Sequence, residues 1–245
     1  MKRRLLLAGV VLYLSVHALS QTADELVQKN IEAKGGLDKI KAVKTLRITG
    51  RAERSGRSPV VVVIEHERPN EMRQDTTRAG MTSVVAYDGK QGWTIQPFGG
   101  RKDPQLMGED DLRDLQLEAD IDGPLVDYQA KGNPVEYIGH DIVDGDDALR
   151  LKVTLKNGDV LYYDLDPDTF LEIRRESQEF IRGSVKETVT EYGSYKAVDG
   201  VMYPFSRAVW PKSDPSHPVT ITIDKVEVNV PLDESQFAVP ASLKH

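Results

Sequence analysis

Asp164-Leu165-Asp166-Pro167-Asp168 sets three carboxylates at alternate positions. That is the spacing with which a calcium loop offers its oxygen ligands. The rest of such a loop fails here. Thr169 stands where a glycine must turn the chain, and Arg175 stands where a two-oxygen glutamate must close the shell. The segment reads instead as a hairpin turn, with Asp and Pro in turn positions. Asp144-Gly145-Asp146-Asp147 reads the same way. The five histidines do not cluster in sequence: His17 is near the start, His245 is terminal, and His66, His140 and His217 are isolated. No HExxH, no GxSxG elbow and no glycine-rich phosphate loop occurs. Among 39 acids, accidental pairs suited to glycoside chemistry stay open. There are no cysteines, hence no thiol nucleophile, disulfide or thiolate metal site. No catalytic residue, metal ligand or cofactor is assigned, and the chain reads as a non-enzyme.

The side chains that could bind something are apolar and aromatic. Trp93, Tyr128, Tyr162, Tyr163, Tyr203, Phe205 and Trp210 could line a cavity, although each alone is ordinary core material. Their role depends on the elements that hold them. Thr22 with Glu25 three residues on is a capping box, opening a helix that Gly35-Gly36 stops. Leu37, Ile40 and Val43 suggest one more helical turn.

From Lys44 the period becomes two. Leu46 and Ile48 alternate with Arg47 and Thr49. Val60 to Ile64, five β-branched residues, read as a strand covered on both faces. Pro69-Asn70 breaks it, and strands follow at Met72–Thr77 and Met81–Tyr87. Asp88-Gly89 turns the chain toward Trp93 and Ile95. Residues 99–107 read as loop. Residues 109–119 read as a helix with Leu112 and Leu115 on one side and acids at its start. Leu125, Val126 and Tyr128 suggest a further short helix.

Beyond Pro134 nearly everything is β, with turns recurring about every dozen residues. Leu149, Leu151, Val153 and Leu155 alternate with polar residues, as do Val219, Ile221 and Ile223. The fold class is mainly β (α+β). About eleven or twelve strands form one large antiparallel sheet that must curl to hide its edges. The helices sit inside it or across its mouth, where they enclose more volume than these side chains fill.

Lys2, Arg3 and Arg4, then the apolar run from Leu5 to Val16, then Ala18 and Ser20 form an export signal, with cleavage expected near Ser20. The run is shorter than the ~20 residues a membrane span needs. Residues 21–245 read as one domain. Removing Lys2, Arg3 and Arg4 from the 32 basic groups leaves 29 against 39 acids, a net charge of −10. Such a surface argues against nucleic acid and against anionic membrane faces. A periplasmic location fits.

Glu67-Arg68-Pro69-Asn70-Glu71-Met72-Arg73, Asp88-Gly89-Lys90 with Trp93, the run from Gly123 to Gly132, and the run from Val153 to Glu176 together resemble the LolA-like periplasmic lipoprotein carriers. The resemblance covers most of the exported chain, in order. It implies an open, incomplete antiparallel β-barrel of about eleven strands with an N-terminal helix and a helical lid over a hydrophobic cavity. It implies a cargo of lipoprotein acyl chains or another lipid, an inner-membrane donor, an outer-membrane acceptor and a monomeric carrier. By the same resemblance Arg68 would bond lid carbonyls and latch the cavity. Parity supports this placement, since Arg68 falls in phase with Val60, Val62 and Ile64. The expected cavity residues are Leu46, Ile48, Val60, Val62, Ile64, Met72, Trp93, Ile95, Leu112, Leu115, Leu125 and Tyr128. The N-terminal Gly35-Gly36 turn and a short C-terminal tail depart from the best-studied carriers. A lipid-sensing regulatory module on the same fold and a hydrolase remain alternative readings.

Overall fold

The capping box at Thr22 is formed. Thr22 Oγ1 accepts from the Glu25 amide at 3.2 Å, and Glu25 Oε2 accepts from the Thr22 amide at 3.0 Å. It opens helix α1 (Ala23–Ala33), which is followed by α2 (Leu37–Ala42). This computed structural model describes residues 21–181 and 183–243. The export signal expected over residues 1–20 lies outside them, as do Arg182 and residues 244–245.

Strands β1 (Thr45–Arg54), β2 (Val60–Glu67), β3 (Glu71–Arg78), β4 (Met81–Tyr87), β5 (Gly92–Gln96) and β6 (Arg101–Leu106) form the first block. Helices α3 (Glu109–Ala119) and α4 (Tyr128–Lys131) separate it from the second. That block contains β7 (Val135–Val143), β8 (Asp146–Thr154), β9 (Val160–Leu165), β10 (Glu172–Ile181) and β11 (Ser184–Gly193). It ends with β12 (Lys196–Val198), β13 (Val201–Tyr203), β14 (Ser206–Pro211) and β15 (Val219–Val228).

Thirteen of these strands make one sheet in the order β6-β5-β4-β3-β2-β1-β15-β14-β11-β10-β9-β8-β7. All its pairings are antiparallel, and β1 against β15 joins the two blocks. The sheet is not closed, because β6 and β7 are its free edges. It nevertheless curls. Ile48 and Ile64 from β1 and β2 share one core with Leu151 and Leu161 from β8 and β9, far along the strand order. Helix residues Leu26, Val27, Ile31, Ile40, Leu115 and Ala119 complete that core. The curl has a local cause in β1, where the register against β15 shifts between Thr49 and Gly50. A Cβ on Gly50 would lie 2.4 Å from the Thr222 carbonyl oxygen, so only glycine fits there.

Four expectations are corrected. The large sheet has thirteen strands, against the eleven or twelve expected, and the described residues hold fifteen in all. Residues 101–106, read as loop, form an edge strand that accommodates Pro104, because an edge position asks less of the backbone N–H. Lys196 to Tyr203 forms a separate two-stranded hairpin. Finally, the outward face of β2 is covered only in part: Val61 is 48 % exposed, Val63 is half-buried and Glu65 is buried.

Candidate functional site

Helix α3 lies over the inner face of the sheet. Its Leu112, Leu115 and Ala119, at spacings of three and four, pack into the common core. Gly92 on β5 makes room for them, since a Cβ there would lie 2.4 Å from Leu112 Cδ2 and 3.2 Å from Leu115 Cδ2. The opposite flank of α3 meets the sheet through charge. Asp114 pairs with Lys186 at 2.7 Å, and Arg113 with Asp159 at 2.6 Å. Glu118 pairs with Arg175 at 2.8 Å and reaches Arg207 at 3.8 Å.

Two cavities lie along this helix. The outer one, about 720 Å³, is lined by Met72, Val85, Leu106, Met107 and Leu115 together with polar, acidic and basic side chains, Arg101 and Lys186 among the last. The inner one, about 180 Å³, has Leu46, Ile48, Ile64 and Leu125 on one side and Tyr163, Arg175, Tyr192 and Arg207 on the other. Glu118 lines both and stands between them.

The expected residues divide accordingly. Leu46, Ile48, Ile64 and Leu125 line the inner cavity, and Met72 and Leu115 the outer one. Val60 and Val62 are buried in the same core, with Leu112 and Tyr128 packed against it. The Tyr128 hydroxyl also donates to Asp24 on α1. Trp93 and Ile95 are corrected. Both lie on the outer face, in a second cluster with Val84, Ala86, Val239 and Leu243. Strand alternation decides this, because Gly92 faces α3 and Trp93 must then face away. Trp93 Nε1 donates to the Phe237 carbonyl at 3.0 Å, and the Arg73 guanidinium lies 5.7 Å from its ring centre.

Arg68 follows β2, at the boundary with β3. Its Nε donates to the Val43 carbonyl at 2.5 Å and its Nη2 to the Ile40 carbonyl at 3.0 Å. These carbonyls belong to the end of α2, not to α3. The link toward α3 runs through Asp122, just beyond that helix, which takes a two-point pair from Arg68 and a 2.5 Å bond from Lys41. Burial pushes the Asp122 carboxyl up, but the Arg68 and Lys41 hydrogen bonds outweigh it and hold the group below its ordinary value.

Other inner residues had no signal strong enough in the sequence. His66 is buried, its Nδ1 has no hydrogen-bond partner, and burial pushes its pKa down to about 4. Burial would raise the Glu118 carboxyl, but Arg175 and Arg207 hold it at about 2. His66 at least sits on the inward parity of β2. The pairing of Glu118 with arginines from β10 and β14 spans distant chain positions and has no local pattern.

The acids singled out for calcium are otherwise engaged. Asp166 accepts from the Thr169 amide at 2.6 Å and the Asp168 amide at 3.1 Å, closing the expected turn. Asp141, Asp164 and Glu176 converge within 4.8 Å. Arg150 and Arg174 each pair with all three, so two guanidinium groups supply the positive charge between them. His217 meets Ser216 and Asp214 through the same nitrogen, Nδ1, unlike the two-nitrogen relay of a catalytic triad. Among the described residues no helix is long and apolar enough to cross a membrane.

No protein-family model and no curated protein matches the sequence. Solved structures do match the fold. A DUF1329 family protein from Desulfovibrio piger superposes with a TM-score of 0.61 at 13 % identity, covering 89 % of this chain and 98 % of that one. A LolA superfamily protein from Nitrosomonas europaea gives 0.59 at 11 % identity, covering 90 % and 99 %. A domain assigned to outer membrane lipoprotein sorting, from Vibrio parahaemolyticus, gives 0.56 at 12 % identity, covering 86 % and 97 %. An unclosed antiparallel sheet curled around helices, shared with these structures over nearly their whole length, gives this chain the LolA-like fold.

Proposed function

We propose that this chain is an exported carrier that binds acyl chains of lipoproteins or other lipids under α3 and moves them through the periplasm. The observation that carries this reading is the outer cavity. At about 720 Å³ it falls in the range of ordinary ligand pockets. Met72, Val85, Leu106, Met107, Leu115 and Ile181 give it an apolar strip among polar and charged side chains, and it lies beneath a helix whose far flank is tied by ion pairs.

The physics of carriage suits that arrangement. Each acyl CH₂ removed from water contributes about 0.8 kcal/mol, so an apolar cavity holds a chain firmly. Release then requires that opening cost little. Exposed ion pairs are worth roughly 0–1 kcal/mol each, because water replaces the lost partner. Asp114 and Lys186 are of this kind, with half of each side chain exposed. Loading and unloading become a shift between two states of similar energy, biased by whichever membrane partner supplies or takes the chain. In this reading an inner-membrane donor and an outer-membrane acceptor are the exchange partners, the carrier works as a monomer, and Arg68 fixes the closed arrangement through Asp122.

The test is mass spectrometry of lipids extracted from the protein purified in its native exported form. Acyl lipids at near-stoichiometric amounts are expected. A lipid content no higher than that of an unrelated exported protein overturns the reading.

A further inference from the structure

The inner cavity contains more positive charge than an acyl chain needs. Three of its acids are matched by partners of their own. Asp120 pairs with Lys131 at 2.6 Å, Asp122 with Arg68 at 2.5 Å, and Glu172 with Lys34 at 3.2 Å. What remains is Arg175 and Arg207 sharing the single carboxylate of Glu118, at 2.8 Å and 3.8 Å. Two further polar atoms are buried there without a partner, Arg207 Nε and His66 Nδ1. A buried donor left unpaired costs free energy and invites an acceptor. Tyr192 adds a face to the site, with the Arg207 guanidinium 5.9 Å from its ring centre. Guanidinium groups favour carboxylate and phosphate oxygens, which they bind at two points.

The position of Glu118 completes the case. It stands between the two cavities, on the helix that covers both. A carboxylate on the helix that lines both cavities, set against two arginines fixed in strands, imitates the group those arginines would otherwise bind.

We propose that Arg175 and Arg207 are the seat for the anionic head group, a carboxylate or a phosphate, of an amphiphile whose chain lies under α3, with the Glu118 carboxylate holding that seat until the head group replaces it. This rests on the carrier reading above and narrows its cargo to acidic lipids. It also ties loading to the cover. An arriving anion takes the arginines from Glu118, so binding and movement of α3 are linked through one exchanged ion pair.

The experiment is calorimetric titration of the purified exported protein with oleate, 1-oleoyl lysophosphatidic acid, monooleoylglycerol and inorganic phosphate. Oleate or the lysophosphatidic acid is expected to bind at least tenfold more tightly than the neutral glycerol ester of the same chain. Arg207→Gln should weaken the acidic lipids about tenfold and leave the ester unchanged. Glu118→Gln should tighten the acidic lipids severalfold and again leave the ester unchanged. Equal affinity for acidic and neutral lipids, unaltered in either variant, overturns the head-group seat while the carrier reading stands. Binding of inorganic phosphate as tight as that of the acidic lipids overturns the amphiphile in favour of a free anion. Absence of binding by any lipid overturns both readings. If Arg207→Gln does not fold, Glu118→Gln decides alone, and an unchanged affinity for the acidic lipids overturns the proposal.

Discussion

The Arg68 guanidinium meets the Asp122 carboxylate at two points, Nη1 to Oδ2 at 2.9 Å and Nη2 to Oδ1 at 2.5 Å. The same guanidinium holds the Val43 and Ile40 carbonyls, so one side chain joins the end of α2 to the segment that follows α3. Removing it strands Asp122, whose side chain is only 4 % exposed, with Lys41 alone. Arg68→Leu should therefore cost about 2–3 kcal/mol, somewhat below the full loss for a deeply buried pair because Arg68 is partly exposed. Urea unfolding measures that cost. If the link also keeps the cavity closed, bound lipid should dissociate severalfold faster. An unchanged dissociation rate would remove Arg68 from the role of latch.

Trp93 and Leu115 separate the two faces of the sheet. Leu115→Asp puts a charge into the outer cavity and should abolish lipid binding. Trp93→Phe removes the bond to the Phe237 carbonyl on the other face, costing about 1 kcal/mol. It should leave lipid occupancy as it was. Circular dichroism shows whether Leu115→Asp keeps its β-sheet, and the lipid content of both variants is then compared with that of the parent. Loss of lipid in Trp93→Phe would contradict the placement of the cavity.

His66 predicts an acid limb of stability. Its folded pKa lies at about 4, against an ordinary value of 6.5, because burial disfavours the charged ring. Between those values the unfolded chain takes up a proton that the folded chain refuses. Stability then falls as the pH drops from 6.5 to 4, by roughly 3 kcal/mol in this group's contribution. His66→Leu should abolish that part of the slope in thermal unfolding at stepped pH. A slope identical in the variant would show that His66 is not its source.

Glu179 acts in the opposite sense. Burial, then Asp114 nearby, pushes its carboxyl up to about 7, with Lys186 opposing them. A raised folded pKa means that the folded chain binds the proton more tightly, so stability is lost as the pH rises from 4.5 through about 7. This window overlaps that of His66, and the two slopes partly cancel. Asp114→Asn should lower the Glu179 pKa and expose the His66 slope. The cover should also loosen above pH 7 in the parent, because Glu179 then ionises beside Asp114. Amide hydrogen exchange in α3, compared at pH 6 and pH 8 after correction for the intrinsic rate, reads this directly. Equal protection at both values would refute it.

Much of this was legible locally. The Thr22–Glu25 capping box, the Asp88-Gly89 turn, the turn after Asp164 and the helix over residues 109–119 follow from contacts a few residues apart. Such contacts are set by backbone geometry and read directly from residue types. The alternation in β1 and β8 was equally plain, and it selected Leu46, Ile48, Leu149 and Leu151 as inward residues. Where the period gave no guide, the reading missed. Val60 to Ile64 is apolar at every position, so its type could not show that Val61 faces outward. Trp93 is a large aromatic that two different faces could have buried.

The sequence by itself determined the class of the fold, most of the order of its elements and which residues alternate together. Those depend on period, propensity and turn chemistry, all of which act over short stretches. Only the tertiary structure decided which face of each strand turns toward α3, and which charges meet beneath it. Glu118 finds Arg175 and Arg207 because α3 crosses a sheet in which β10 and β14 stand on either side of β11. That meeting depends on strand order, register and curl together, and no single stretch of chain encodes it.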